Sequence, residues 1–267
     1  MMSKEKSHSA SVLVSNMDPV AILTALQRRG YFVMPLSAEM LETQEEMFRQ
    51  FDIFDTRSVT EKEYFSLTPD AIGENNGWHG AGGLSRYNQC RQGIIFQASS
   101  PVWPMLSMNK EAAPDDFSIA HENFRHEVHL LAAAIMEQVA AALELPEPAS
   151  YFTANGPQDI IGGSQFHVKK VMLSETEDLS ALHKSPEDGR YLTLRAHRDP
   201  SVVSMVFHKH RHDGVEHGLG LQFKDPDLGS FVNINIPADE GNGTTGRPLC
   251  VIIAGSILEL LSDGKWK

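Results

Sequence analysis

Two side chains in this sequence stand at the spacing of a divalent-metal site: His197 and Asp199, within RYLTLRAHRDPSVVSMVFH from Arg190 to His208. In extended backbone, residues i and i+2 project to the same side, so an imidazole and a carboxylate placed this way can grip one cation together. They make two thirds of a 2-His-1-carboxylate triad, the set that holds Fe(II) on one face and leaves the other open. An isolated H-x-D takes its meaning from its surroundings. The competing candidates are weaker. His126 and His129 in HEVH fall one residue short of the i, i+4 spacing of H-E-x-x-H and read as surface or groove histidines. His208, His210, His212 and His217 form the densest histidine cluster, yet they share their loop with Lys209, Arg211, Asp213 and Glu216, an ordinary solvated composition. GAGG at Gly80 to Gly83 lacks the strand, helix and lysine that surround a phosphate cradle.

The elements that must position His197 and Asp199 are strands. Tyr191, Thr193 and Arg195 alternate with Leu192, Leu194 and Ala196 as in a half-buried strand, and Val202, Val203, Met205, Val206 and Phe207 form a second β-type run. Downstream follow GLGLQF (Gly218 to Phe223), GSFVNINIP (Gly229 to Pro237) and PLCVIIAGSILELLSDGKWK (Pro248 to Lys267). Upstream, Asp18 and Pro19 start a helix with Val20, Ile22, Leu23 and Leu26 on its apolar stripe and Gly30 at its end. YFVMPL (Tyr31 to Leu36) reads as a short strand, and Ser37 begins a second helix. Gly73 to Asn88 is Gly- and Asn-rich and reads as loop. Ala120 to Leu145 carries the strongest helical period, with Phe124, Val128, Leu131, Ile135, Val139 and Leu143 three or four residues apart. SQFHVKKVML (Ser164 to Leu173) reads as the first core strand, with Lys169 and Lys170 as solvated edge lysines, pairing of a lysine there with a carboxylate being the alternative. Ala238 to Pro248 reads as a hairpin excursion.

This order resembles the isopenicillin N synthase-like family of Fe(II)/2-oxoglutarate-dependent dioxygenases. There, H-x-D-P is followed by a G-L-Q strand, a W-V-x-V-x-P strand, and a strand leading into G-D-x-L-x-x-x-S-N-G-x-x-K. His197, Asp199 and Pro200 match the first motif, and Gly218, Leu219, Leu221 and Gln222 approximate the second. Phe231, Val232, Ile234 and Pro237 match the third, with Phe for Trp. Gly255, Leu258, Ser262, Gly264 and Lys267 match the last, with Ser256 for Asp and Asp263 for Asn. Gly30-Tyr31-Phe32 and Glu61-Lys62 fall where the family has its G-F-F strand and E-K pair.

The resemblance implies a mainly β fold with a helical layer, built on a double-stranded β-helix, or jelly-roll, core. It implies one domain over 1–267, with a mostly helical part at 16–145 and the jelly roll at 160–267. It also implies Fe(II), 2-oxoglutarate as cosubstrate, and hydroxylation or desaturation of a small organic molecule, with His197 and Asp199 as metal ligands. The family's second metal-binding His and its Arg-x-Ser grip on 2-oxoglutarate would lie past Lys267, and the Tyr-Pro that ends the first core strand has no counterpart after Lys170. The expectation is therefore a fragment or shortened relative, its core lacking the last strands, catalytically incomplete and prone to self-association through unpaired strand edges. A non-catalytic jelly-roll binding or structural protein that retains part of the metal site is the alternative.

Composition narrows the partners. With 23 Lys and Arg against 35 Asp and Glu, the net charge is −12, and no basic run offers a surface for nucleic acid or anionic membrane. No segment approaches the ~18 apolar residues of a membrane span. Two distant cysteines, Cys90 and Cys250, and the absence of a signal-peptide core predict reduced thiols in a cytoplasmic protein.

Overall fold

The structure is a computed structural model and describes residues 14, 17–63, 65, 68–69, 75–80, 91–97, 116–153, 164–171, 183–184, 191–192, 197–209, 221–225, 227–234 and 249–264. In chain order the elements are α1 (Pro19–Arg29), β1 (Tyr31–Pro35), α2 (Ala38–Asp55), α3 (Val59–Glu63), β2 (Thr68–Pro69), β3 (Asn75–His79), β4 (Arg91–Gln97), α4 (Asp116–Ala142), β5 (Gln165–Val171), β6 (His183–Lys184), β7 (Tyr191–Leu192), β8 (Val203–Phe207), β9 (Gln222–Lys224), β10 (Phe231–Asn233), β11 (Leu249–Ala254) and α5 (Ser256–Leu261). They divide into two compact units. The first holds Met1–Leu41, Glu137–Pro148 and Arg198–Lys267, and the second Glu42–Met136 and Ala149–His197.

In the first unit, α1 starts and stops where local chemistry dictates. The Asp18 carboxylate accepts from the Val20 N–H at 3.0 Å, Pro19 occupies the first turn, and Gly30 at φ 73° closes the helix by donating to the Leu26 carbonyl. The chain enters β1 at once. β1, β11 and β8 form an antiparallel sheet in that order, with Val33 opposite Val251 and Val251 opposite Val206. Tyr31, Val33, Ile234 and Val251 make its core, with Leu221, Phe223 and Ile253 packed against them and the Tyr31 and Phe223 rings 4.7 Å apart. The run LCVIIA is the middle strand of this sheet. Cys250, Val251 and Ile252 are buried, Val251 by packing with Tyr31, Val33 and Ile234. Cys250 is a free thiol whose pKa burial pushes up.

β9 and β10 pair as a hairpin held by one carboxylate. Asp225 accepts from the backbone of Asp227 at 2.9 Å and Leu228 at 3.1 Å, and it is ion-paired with Arg29 at the end of α1. Burial alone would raise the Asp225 pKa, but those two N–H groups and Arg29 outweigh it and hold the carboxyl below its usual range.

The second unit is built on the four-stranded antiparallel sheet β2-β3-β4-β5. Trp78, Ile94 and Val168 stand in one row across it, and Phe96 opposite Phe166 in another on the same face. Aromatic side chains from helices fill in against this face: Phe117 lies 6.3 Å and His121 4.0 Å from Phe96, and Phe124 lies 5.9 Å edge-on from Phe166. The segment 73–88, read as loop, contains β3 at 75–79, because pairing with β4 and burial of Trp78 override the local Gly and Asn content. His129 on α4 is buried rather than superficial, and desolvation pushes its pKa down to about 4, whereas His126 is exposed. No helix of the described residues is long and apolar enough to cross a membrane.

Candidate functional site

His197 and Asp199 lie in the segment between β7 and β8, with His197 exposed and Asp199 half-buried. The boundary between the units falls after His197. Within the first unit, the segment after it is fastened to the start of α5. The Ser256 backbone N–H donates to the Asp199 carbonyl at 2.9 Å and the Ser256 hydroxyl reaches it at 3.2 Å. Gly255 N–H donates to Val202 and Ile257 N–H to Ser201. These N–H groups have no partner within the helix, and here they are satisfied by the carbonyls of the metal-ligand candidate's own loop. Arg198 adds an ion pair to Glu259 at 2.5 Å.

Gly255 is required by this arrangement. A Cβ at 255 would stand 1.9 Å from the Ser201 carbonyl oxygen, so any side chain forces the loop and α5 apart. The motif position read as Ser256 for Asp thus has a local role, pinning the backbone that carries Asp199.

Among the described residues, no group of three or more His, Cys, Asp and Glu side chains is placed to hold a metal ion. His208, just after β8, is half-buried with its pKa lowered by desolvation, and His210, His212 and His217 lie outside the described residues. So do the GAGG glycines after Gly80 and the Ala238 to Pro248 connection.

A second concentration of functional groups was not read from the sequence. In the second unit His79, Gly93 and Lys169 stand directly opposite one another across β3, β4 and β5, which puts their side-chain positions on one face of the sheet. Arg91, two residues before Gly93, shares that face. His79 is 3% exposed, with Nδ1 donating to the Gly80 carbonyl at 3.3 Å and Nε2 buried without a hydrogen bond among the described residues. Desolvation lowers its pKa, the Gly80 contact works against that, and Lys169 and Arg91 lower it further. Lys169 is half-buried, not a solvated edge lysine. Desolvation and then Arg91 push it down to about 8. The sequence does hold one signal, a glycine inside an apolar strand run, which marks a close backbone approach.

The opposite face carries a closed ion-pair network. Asp55 at the end of α2 accepts from Lys170 at 2.7 Å, from Lys62 at 3.3 Å and from Gln92, while Lys62 also donates to the Asp55 carbonyl at 2.9 Å. Lys62 is buried, with its ammonium 5.8 Å from the centre of the Trp78 ring. Its neighbour Glu61 closes a capping box with Ser58 at the start of α3.

No family model matches this chain, and no curated protein sequence matches it. Solved structures do. The Arabidopsis thaliana dioxygenase for auxin oxidation 1, as its 2-oxoglutarate complex, matches with a TM-score of 0.64 at 17% identity, over 97% of this chain and 84% of that one. The dioxygenase for auxin oxidation of rice matches with a TM-score of 0.61 at 14% identity, over 97% and 75%. A full-length Neurospora crassa protein, solved in complex with alpha-KG and thymine, matches with a TM-score of 0.66 at 15% identity, over 98% and 78%. The chain therefore shares the fold of these proteins, two of them dioxygenases.

Proposed function

We propose that this chain is a non-haem Fe(II)/2-oxoglutarate-dependent oxygenase-type protein with a jelly-roll core, acting on a small organic molecule, in which His197 and Asp199 are metal ligands. The observation that carries it is the likeness of nearly the whole chain to solved dioxygenases, joined to an H-x-D-P segment that sits where a strand begins. The donor chemistry fits: a neutral imidazole nitrogen and a carboxylate oxygen suit Fe(II) or Mn(II). When bound, the metal with 2-oxoglutarate supplies the activation of O2 needed to oxidise an unactivated carbon. The chain's part is positional. Ser256 and Gly255 fix the backbone around Asp199, and the half-buried setting of its carboxylate limits the water that competes for it.

A second reading is a binding protein of the same fold that retains only part of the site. It is favoured by the lack, among the described residues, of a third ligand near the pair. With His197 and Asp199 as the ligands among the described residues, weak metal binding and little 2-oxoglutarate turnover are expected.

Anaerobic titration of Mn(II) or Fe(II) into wild type and Asp199→Ala decides the metal assignment. Weak binding that falls at least tenfold in the variant is expected, because losing a direct ligand should exceed the ~10 to 100-fold cost of disturbing a ligand's support. Equal binding removes these residues from the site. Succinate formed above a metal-only blank and abolished by His197→Ala would overturn the expectation of incompleteness and favour the oxygenase over the binding protein.

A further inference from the structure

We propose that α4, over its stretch in the second unit at 116–136, is an acid-sensitive latch: protonation of His121 and His129 releases it from the β4-β5 sheet face and uncovers Phe96 and Phe166. The inference does not draw on the oxygenase reading. His121 stands in the apolar stripe of α4, four residues after Phe117 and three before Phe124, and it is fully buried. Its ring centre lies 4.0 Å from that of Phe96, 4.9 Å edge-on from that of Phe166 and 6.2 Å from that of Phe117. Neither of its ring nitrogens has a hydrogen-bond partner among the described residues. A neutral imidazole there leaves one donor and one acceptor unmet. An imidazolium leaves two donors and a full charge unmet, a far larger desolvation cost that the attraction of a cation to the Phe96 ring offsets only in small part.

A second histidine compounds the effect. His121, Arg125 and His129 follow one another at i, i+4 and i+8, so they form one inclined row on the helix. His129 is 8% exposed, and Arg125, ion-paired with Glu122, already places a positive charge between the two imidazoles. Burial and then Arg125 push His121 down to about 3, with His129 adding to the effect. The same two causes push His129 down to about 4, opposed by Glu122 and aided by His126. From the other elements, β4 and β5 bring Phe96 and Phe166 against His121, while α2 brings Phe51 and Phe54 against Phe117, with Arg57 over the Phe54 ring. The charged groups of that sheet face and of α2 beside it, Lys170 and Asp55, are paired with each other and with Lys62. Both folded values lie below the ordinary 6.5, so a released α4 takes up protons that the packed helix refuses. Opening therefore grows as pH falls below 6.5 and levels off only below the folded values.

Native-state hydrogen exchange on the full chain, corrected for the intrinsic rate at each pH, tests the latch by following the amides of α4 up to Met136 against those of β11 in the first unit. Between about pH 7 and about pH 4.5 the opening constant of α4 should rise about a hundredfold for each histidine, hence about 10,000-fold in wild type, with β11 lagging behind. In His121→Leu and in His129→Gln the rise should shrink to about a hundredfold. Nitrogen spectra of the imidazole rings in wild type supply a readout that needs no variant, and both rings should still be neutral at about pH 5.5. Three results each overturn the proposal: the same pH slope in wild type and both variants, α4 and β11 opening in step, or either ring charged at about pH 5.5 in the folded chain.

Discussion

Lys169 and Lys170 are adjacent in sequence and face opposite sides of one sheet, and they live in opposite electrostatic worlds. On the Lys170 side, the Asp55 carboxylate gathers Lys170, Lys62 and Gln92 into a closed set of charge-assisted bonds that ties β4 and β5 to α2 and α3. On the Lys169 side, the ammonium stands beside Arg91 and His79. The perturbations follow: the hydrogen bond from Asp55 raises the Lys170 pKa, while desolvation lowers that of Lys169. One face is a joint, complete in itself. On the other, partial burial and then Arg91 act against the charge of Lys169.

The sharpest way to break the comparison is to remove the joint. Asp55→Ala leaves Lys62, whose side chain is only 7% exposed, as an uncompensated buried charge. A loss of ~3–5 kcal/mol is expected, read as a fall in the urea midpoint without a change in slope. A loss under ~1 kcal/mol would show the network to be ornamental. Next in size is the pH dependence of Lys169. Its folded pKa of about 8 lies below the unfolded value of 10.5, so across that window the unfolded chain holds a proton the folded chain has released. Stability should thus rise from pH 8 to 10.5 in wild type relative to Lys169→Met, and parallel curves would refute the assignment. Lys170 has the opposite sign: its raised pKa contributes stability that is fully present below the unfolded value and lost only as pH climbs through the folded one. Smallest of all is Lys170→Met at neutral pH. The Lys170 side chain is 43% exposed, so the change should cost no more than ~1 kcal/mol, within the range of surface pairs, measured by thermal melt.

Much of the fold was legible where local chemistry and packing agree. Asp18, Pro19 and Gly30 delimit α1 as read, and the runs at Tyr31, Val203 and Leu249 are strands. What stayed hidden was pairing. Nothing local says that β1 lies against β11, so the run LCVIIA does not by itself reveal that it is the centre of its sheet. The Asn- and Gly-rich letters around Trp78 concealed β3, since its extension is imposed by β4. For the site, H-x-D-P was visible as spacing, but its anchorage on α5 depends on Gly255 meeting Ser201, far apart in the sequence. His79, Arg91 and Lys169 carry no motif at all. Only cross-strand register brings them together.

The placement of β1 beside β11 has a bearing on how the chain is made. The ribosome releases Tyr31–Pro35 early, while Leu249–Ala254 is among the last segments of this sequence to emerge. Until then β1 has no strand to lie against in its described sheet, and the apolar side chains of Tyr31, Phe32 and Val33 must wait beside a sticky, unclosed partner site. Closing that pairing spans most of the sequence, so it should be the slow, late step of folding, and the interval before it is when chaperones would have most to bind.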